Sequence, residues 1–279
     1  MAERIGVLAS GARDPEADPP PFDTTVPHAA RMYDYLLGGK DNFAADREAA
    51  EQLVAINPEA RMAVRENRAF HRRAVHYLAG EAGIRQFLDI GTGIPAADNT
   101  HEVAQRVAAD ARIVYVDNDP IVLAHARALL TSAHAGTVSY LDSDLRDPDT
   151  ILEVAGQWLD FGTPVAIMLV LILHLIRDSD DPWRIVRRLV DAVPPGSYLV
   201  VSHPTGDLDE DIGAAITGSV NQRMQATPMT IRSHAEVSRF FDGLNVLPPG
   251  VVPQNRWPDR AAQNDDDIGC YGGVGRKPG

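Results

Sequence analysis

The chain has 279 residues, of which 44% are hydrophobic, and this composition predicts a globular protein with one large domain or two small ones. Its 39 acidic and 26 basic residues give a net charge of −13, which repels phosphate backbones and argues against a nucleic-acid partner. Cys270 is the single cysteine, so the chain can form neither an intramolecular disulfide nor a cysteine-based metal cage, and we predict no metal site.

The N-terminus and the apolar runs predict where the protein resides. The opening residues Met-Ala-Glu-Arg-Ile-Gly lack the basic and apolar blocks of a signal peptide. The longest apolar run, Val165 to Leu173, is far too short to cross a bilayer. We therefore predict a soluble, cytoplasmic protein without a membrane partner.

The first 80 residues predict a flexible arm followed by a helical cap. Residues 1–26 are rich in proline, aspartate and small residues, which favours a flexible arm. Apolar spacing predicts three cap helices, over residues 29–37, 44–55 and 59–78. Gly38 and Gly39 end the first helix through a left-handed turn, and Asn57-Pro58 breaks the second. We predict that this cap, residues 27–80, packs as one unit with a domain formed by residues 81–279.

Polar side chains of the cap have two interpretations. They form either a solvated helix face or the part of the cap that closes over a ligand. For the second interpretation, the candidate substrate-binding residues are Arg31, Tyr33, Asp34, Lys40, Asn42, Asn67 and Arg68.

Strands and helices alternate from Gln86 onward. Strands are predicted over residues 87–90, 112–117, 137–142, 165–173, 198–201, 245–252 and 268–274. Helices are predicted over residues 100–109, 118–133, 150–159, 180–193 and 208–225 and from residue 233. Such alternation predicts an α/β domain whose parallel strands are joined by right-handed crossovers.

The stretch Phe87-Leu-Asp-Ile-Gly-Thr-Gly-Ile-Pro95 ends the first of these strands in a glycine turn. Gly91 and Gly93 let the backbone pass close to a ligand, because neither residue has a Cβ. Asp89 lies at the carboxyl end of the strand, where open α/β sheets bind their ligands. The stretch is therefore predicted to hold a cofactor.

Two cofactor classes share this arrangement. Residues 91–96 match the loose G-x-G-x-x-A form of the dinucleotide fingerprint, and Asp117, which ends the next strand, could bind ribose hydroxyls in either class. In dinucleotide folds the glycines open the helix, whose N-terminus then faces the pyrophosphate. Here the capping-box pattern at Asn99 predicts a helix that starts later. A late helix start favours S-adenosylmethionine, which has no phosphate, over a nicotinamide cofactor and an oxidoreductase.

The acidic residues favour the same cofactor. Asp89 precedes the glycines, where a carboxylate suits the cationic amino group of a methionine moiety and would not help a pyrophosphate. Asp144 follows the third strand, where its oxygens could accept a hydrogen bond from the adenine amine. Amine, ribose and adenine would thus each meet one acid, with Asp117 at the ribose.

Several short blocks carry a resemblance to known families. Asp89-Ile-Gly-Thr-Gly, Tyr115-Val-Asp117-Asn-Asp-Pro and Ser143-Asp144-Leu-Arg resemble the cofactor motifs of class I methyltransferases. The block Asp34-Tyr-Leu-Leu-Gly-Gly-Lys-Asp-Asn-Phe43, with residues 86–95 and 116–120, resembles more narrowly an actinobacterial S-adenosyl methyltransferase family, formerly a domain of unknown function. The similarity runs from about Pro27 to the end of the chain.

This resemblance implies a fold and a cofactor but no substrate. The fold is a Rossmann-like, seven-stranded, mostly parallel sheet with a reversed last strand, here with an N-terminal helical extension. The cofactor is S-adenosylmethionine, and the matching positions are Asp89, Gly91, Thr92, Gly93, Asp117, Asn118, Asp144 and Leu145. One departure is Pro95, which stands where a third glycine often follows Gly93.

Histidines follow two predicted strands and are candidates for catalysis. In-line methyl transfer needs an aligned nucleophile and, for some acceptors, a general base, and imidazole titrates near neutrality. We consider His174 and His203 for this role, the alternative being histidines hydrogen-bonded to backbone at strand ends. No Asn-Pro-Pro-Tyr-type sequence follows the fourth strand, which argues against methylation of amides or exocyclic base amines. We predict a methyltransferase with a small-molecule O- or N-acceptor, the alternative being a regulatory protein that binds the cofactor without catalysis.

Overall fold

A computed structural model describes residues 7–9, 23–130, 138–207, 229–258 and 268–279, together with positions 211, 213–215, 218 and 221. The helix predicted over residues 208–225 therefore lies largely outside the described residues, as do residues 131–133 of the helix predicted to follow Asn118. Among the described helices, none is both long enough and apolar enough to cross a membrane.

The described helices and strands follow the predicted alternation. The helices are α1 Ala29–Leu37, α2 Ala44–Ile56, α3 Ala60–Gly80, α4 Thr100–Val107, α5 Pro120–Leu130, α6 Pro148–Ala155, α7 Pro182–Asp191 and α8 His234–Ser238. The strands are β1 Val7–Ala9, β2 Gln86–Ile90, β3 Arg112–Asp117, β4 Val138–Asp142, β5 Ala166–Val170, β6 Tyr198–Pro204, β7 Asn245–Val246, β8 Val252–Pro253 and β9 Cys270–Arg276.

The described strands form one mixed sheet. Their order is β1-β4-β3-β2-β5-β6-β9-β7, with β8 also pairing with β9. Strands β1 to β6 run parallel, and β9 runs antiparallel to β6. The predicted fold, a mostly parallel sheet with a reversed last strand, is confirmed. Three short strands, β1, β7 and β8, also belong to the sheet, and β1 lies in the predicted flexible arm.

Helices cover both faces of the sheet, because its central strands are apolar on both sides. Leu88 of β2 belongs to one buried cluster with residues of α6 and α7. Phe87, its neighbour, belongs to a second cluster with Phe70 of α3 and Val103 of α4. Successive side chains of a strand point to opposite faces, so one strand supplies both cores.

The cap joins the sheet through α3. Met32, Leu36 and Val64 belong to a small apolar cluster between α1, α2 and the N-terminal half of α3. Leu78, near the end of the same helix, is buried in the core of the sheet. Because one continuous helix contributes to both cores, the cap is packed directly on the sheet.

Two predicted strands have the wrong extent. The apolar run predicted to continue to Leu173 leaves the sheet at Val170, because Leu171 adopts a positive φ of 52° and Leu173–Leu175 forms a 3₁₀ turn. The run stays apolar because Leu173 is buried in the core. The strand predicted over residues 245–252 is divided into β7 and β8, since Pro248 and Pro249 have no N–H for the ladder.

Candidate functional site

A cavity of about 640 Å³ lies at the carboxyl ends of β2, β3 and β5, where the strand order reverses, and α1 and α3 form its opposite wall. Ligands of open α/β sheets bind at this position. The cavity is lined by twelve of the predicted site residues, namely Asp89, Gly91, Thr92, Gly93, Asp117, Asn118, Asp144, Leu145, Tyr33, Asn67, Arg68 and His174. The lining does not include Arg31, Asp34, Lys40, Asn42 or His203.

Asp117 fixes the glycine turn to the end of β3. Its Oδ2 accepts a hydrogen bond from Gly93 N at 2.8 Å, and its Oδ1 accepts one from Asp119 N at 3.0 Å. Gly91 N donates to Val116 O at 2.8 Å. Burial raises the pKa of Asp117 above its ordinary value. The carboxylate therefore orders the turn and still has lone pairs for a ligand.

The two glycines of the turn predict different costs of substitution. Both have positive φ, 74° at Gly91 and 67° at Gly93, which strains any L side chain by roughly 1–2 kcal/mol. A Cβ on Gly91 would also lie 2.4 Å from Cγ1 of Ile172, whereas on Gly93 the nearest atom would be 4.0 Å away. We expect Gly91→Ala to lower the free energy of unfolding clearly more than Gly93→Ala, measured by urea denaturation. Equal losses of unfolding free energy in the two variants would show that the Ile172 side chain moves aside at no cost.

Asp89 ends a buried hydrogen-bonded chain that the sequence did not predict. Thr100 Oγ1 donates to Asp89 Oδ2 at 2.5 Å, and His71 Nε2 lies 2.8 Å from Thr100 Oγ1. Because the threonine proton is directed to Asp89, His71 must donate through Nε2, and its Nδ1 has no partner among the described residues. Burial lowers the pKa of His71 to about 3 and raises that of Asp89 to about 6.

Asp144 is paired within its own loop. Its oxygens accept from Arg146 N, Nε and Nη2 and from Asn118 Nδ2 at 3.1 Å. Burial acts to raise the pKa of Asp144, but the hydrogen bonds from Arg146 outweigh it and hold the pKa below its usual value. An adenine amine would therefore share this carboxylate with Arg146 and Asn118.

Hydrogen bonds tie the cap to the sheet beside the cavity. Asn67 Nδ2 donates to Tyr33 Oη at 2.9 Å, while Ser202 Oγ of β6 donates to Asn67 Oδ1 at 2.6 Å. Tyr33 Oη donates in turn to Val64 O, and burial raises the pKa of this phenol to about 12. Arg68 Nη2 donates to the backbone oxygen of Ala97 at 2.7 Å. Tyr33 and Asn67 thus line the cavity with their polar groups already engaged.

Of the other four cap candidates, Arg31, Asp34 and Asn42 stabilise the cap itself. Arg31 is buried and donates through Nε to Asp46 at 3.0 Å. Asp34 Oδ2 accepts from Asp41 N and from Asn42 Nδ2 at 2.9 and 2.8 Å, which closes the loop after α1. Lys40 is exposed. Polar residues in turns commonly bond to their own backbone, and here that local role accounts for Asp34 and Asn42.

The two candidate histidines differ in their surroundings. His203 is fully buried, donates through Nδ1 to Pro204 O at 2.7 Å and accepts through Nε2 from Arg232 at 2.9 Å. Both of its nitrogens are therefore engaged away from the cavity. His174 lies on the 3₁₀ turn after β5 and lines the cavity, and its Nδ1 has no hydrogen-bond partner among the described residues. Burial lowers the pKa of His174 to about 3, so its imidazole is neutral.

Arg232 braces the turn that carries His174, and the sequence did not indicate it. It is 1% exposed and donates to the carbonyl oxygens of Leu173 and Ile176 at 2.9 and 2.8 Å. It also donates to Asp178 Oδ1 at 2.7 Å, and its guanidinium lies against the rings of Trp183 and Phe240. This contact spans 59 residues of sequence, so no local pattern could have predicted it.

The cap side of the cavity is an apolar wall, which the sequence patterns did not predict. We use the name cap wall for Met32, Leu36, Leu53, Val64 and Met229, which line the cavity and belong to the cap cluster or pack against it. Helical spacing predicted the helices that carry the first four residues but not which of their faces meets a ligand.

Comparison with known proteins relates the chain to solved structures. The sequence profile described as S-adenosyl methyltransferase matches residues 15–278. A DUF574 family protein from Streptomyces avermitilis is 44% identical with a TM-score of 0.86, over 92% of this chain and 99% of that one. A candidate methyltransferase from Thermobifida fusca is 39% identical, also with a TM-score of 0.86, over 92% and 97%.

A more distant structure supports the fold alone. An O-methyltransferase family protein from Burkholderia thailandensis is 15% identical with a TM-score of 0.50, over 84% of this chain and 60% of that one. A search of curated proteins found no match.

Proposed function

This chain belongs to the S-adenosyl methyltransferase family, and we propose that it transfers the methyl group of its cofactor, S-adenosylmethionine, to a small-molecule O- or N-acceptor. The bound cofactor supplies an electrophilic methyl group on a sulfonium. One observation carries the proposal: the glycine turn and the acids Asp89, Asp117 and Asp144 line the same cavity as the apolar cap wall and His174. A cofactor and a second molecule could thus share one enclosed space.

We assign the sheet side of the cavity to the cofactor. Asp89 would pair with its ammonium group, Asp117 with the ribose hydroxyls, and Asp144 with the adenine amine. Asn118 and Leu145 line the cavity between them. The hydrogen-bond acceptors of the cavity support this assignment. Three carboxylates at the ends of β2, β3 and β4 suit a ligand with an amine, a diol and an exocyclic amine.

Arg68 is better assigned to the cofactor than to the acceptor. Its positive charge acts on Asp89 and on His71, which places the guanidinium near the end of β2. A methionine moiety carries an ammonium and a carboxylate on one carbon, so a carboxylate acceptor and a guanidinium donor side by side suit it. We therefore propose that Arg68 pairs with the cofactor carboxylate.

Alignment is the main contribution that we assign to the protein. Methyl transfer from a sulfonium is an in-line displacement, and holding both reactants in one geometry lowers its barrier. His174, neutral and adjacent to the cap wall, would accept a hydrogen bond from the acceptor. We do not assign His203 a catalytic role, because Arg232 and Pro204 engage both of its nitrogens.

Cofactor affinity should depend on pH through Asp89. Burial raises its pKa from 3.8 to about 6, so the carboxylate that would bind the ammonium is lost as the pH falls through 6. We expect the affinity for S-adenosylhomocysteine to fall roughly tenfold per pH unit below about pH 6, because one proton must leave. Without ligand the sign is opposite: the neutral acid is favoured in the fold, so stability from this group declines as the pH rises from about 4 to 6.

Calorimetric titrations between pH 5 and 7.5 measure this dependence, with Asp89→Asn as the control. The variant should bind more weakly at neutral pH and show a flat profile. A wild-type affinity that is constant across the range would mean that Asp89 does not meet the ammonium.

Two measurements test the proposed function. Calorimetry should show binding of S-adenosylmethionine and S-adenosylhomocysteine and no saturable binding of NAD. Formation of S-adenosylhomocysteine with a panel of phenols, alcohols and amines should then identify turnover. Binding of NAD alone would overturn the cofactor assignment, and cofactor binding without turnover for any acceptor class would favour a regulatory protein.

A further inference from the structure

The cap wall and His174 together define the chemistry of the acceptor. We infer that the acceptor is a neutral, mostly apolar compound that presents one hydroxyl or amine hydrogen to the imidazole of His174. The inference rests on the proposed function, because it takes the sheet side of the cavity to be filled by the cofactor.

Apolar side chains dominate the cap side. Met32, Leu36 and Val64 are buried, and Leu53 and Met229 are half-buried beside them. Ile172 and Leu175, on the turn after β5, extend the apolar lining toward His174. An apolar compound that binds there gains roughly 25 cal/mol of binding free energy for each Å² of apolar surface removed from water.

The polar groups of this side are engaged with one another. Tyr33 Oη donates to Val64 O and accepts from Asn67 Nδ2, while Asn67 Oδ1 accepts from Ser202 Oγ. Thr205 Oγ1 accepts from Asp207 N. A ligand that needed several hydrogen bonds would have to break this network, which also holds the cap to β6.

The ring of His174 has no hydrogen bond to that network. Its residue is 8% exposed and lines the cavity, but its Nδ1 is closed to solvent and has no partner among the described residues, so a ligand in the cavity can reach only Nε2. Its protonation is opposed by burial and by the buried guanidinium of Arg232, so the ring stays neutral. A neutral imidazole that carries its proton on Nδ1 accepts one hydrogen bond through Nε2.

Charged acceptors fit this side poorly. A carboxylate or an ammonium placed against the cap wall would lose its hydration without gaining a counter-ion there. Of the charged residues that line the cavity, Asp89, Asp117, Asp144 and Arg68 are assigned to the cofactor, Arg146 is paired with Asp144, and Glu59 is exposed. The cap side of the cavity therefore selects neutral acceptors over charged ones.

The step balances without a further reactant. A lone pair of the acceptor oxygen or nitrogen forms the bond to the methyl carbon as the carbon–sulfur bond breaks, with its electrons left on sulfur. The acceptor proton passes to water, while His174 stays neutral and orients the acceptor through the hydrogen bond that it accepts. The products are the methylated acceptor and a neutral thioether.

The test uses 2-naphthol and two matched analogues with the full chain saturated with S-adenosylhomocysteine. 2-Methoxynaphthalene lacks the donor hydrogen, and 2-naphthoate carries a charge. Calorimetry should show 2-naphthol binding at least tenfold more tightly than either analogue. His174→Ala should weaken 2-naphthol about tenfold and leave both 2-methoxynaphthalene and S-adenosylhomocysteine unchanged, and that last affinity also reports that the variant is folded.

A second variant tests the wall independently of His174. Leu53 is half-buried on α2, so Leu53→Lys is expected to fold and to place a cation in the cap wall. It should reverse the preference in favour of 2-naphthoate.

The outcomes separate the two proposals. Failure of S-adenosylhomocysteine to bind overturns the proposed function and this inference with it. Normal binding of S-adenosylhomocysteine with no binding of 2-naphthol, or with 2-naphthoate bound equally well by the wild type, overturns the acceptor class alone.

Discussion

Replacing Asp117 with alanine should reduce the affinity for S-adenosylhomocysteine by roughly a hundredfold. The carboxylate has two tasks: it accepts from Gly93 N and Asp119 N, and we assign the ribose hydroxyls to its remaining lone pairs. A hydrogen bond to a charged group contributes about 1.5–3 kcal/mol, and about 2.7 kcal/mol corresponds to a hundredfold. The alanine variant loses the ligand bonds and also the order of the glycine turn.

Asp117→Asn separates those two tasks. Its single amide oxygen can still accept from Gly93 N, so the turn should remain ordered while the charged partner of the ribose is lost. We expect calorimetry to place its affinity between those of the wild type and the alanine variant. Unchanged affinity in Asp117→Ala would show that the ribose lies elsewhere in the cavity.

The acids and glycines assigned to the cofactor could be named from the sequence because each of them belongs to a short, local pattern. Asp89, Gly91, Gly93 and Asp117 lie at the ends of two apolar strands, and parallel strands bring their carboxyl ends to one edge. Once the strands are identified, their meeting is a consequence of topology. The capping box at Asn99, with Glu102 accepting from its N–H, likewise depends on residues three apart.

Long-range partners could not be predicted in the same way. His71 contacts Thr100 across 29 residues, and Arg232 contacts Leu173 across 59. Nothing in either segment marks these residues as paired, because their pairing depends on how α3 and the residue 229–233 segment pack on the sheet. His203 shows the same limit: its position near a strand end leaves both of its interpretations open, and its hydrogen bonds with Arg232 and Pro204 are visible only in the fold.

Which cap residues face the cavity could not be predicted from the sequence, for a related reason. Asp34, Lys40 and Asn42 are polar cap residues and therefore candidates for substrate binding, yet Asp34 and Asn42 close the loop after α1. The apolar cap residues that face the cavity, such as Leu53, have the helical spacing of core positions. Amphipathic spacing identifies a buried face without distinguishing a protein core from a ligand.

Replacing Arg232 with methionine should destabilise the protein by about 3–5 kcal/mol. The substitution leaves the carbonyl oxygen of Ile176 and the Nε2 of His203 without their donor, and it leaves the carbonyl oxygen of Leu173 with Ile176 N alone, at 3.2 Å. Each such group costs about 1–3 kcal/mol. The ion pair with Asp178 contributes less, because that carboxylate is 55% exposed and screened by solvent. Urea denaturation measures the loss of free energy, and the midpoint temperature of thermal unfolding should fall by on the order of 10 °C.

Arg184→Met is the matched control, because Arg184 pairs with Asp181 at 3.9 Å and both side chains are largely exposed. That variant should change the free energy of unfolding by less than about 0.5 kcal/mol. If Arg232→Met behaved like this control, the turn that carries His174 would not depend on the buried guanidinium. If instead it is destabilised as expected while S-adenosylhomocysteine still binds, Arg232 acts on the acceptor side, since its hydrogen bonds hold the turn that faces the cap wall and make none to the glycine turn.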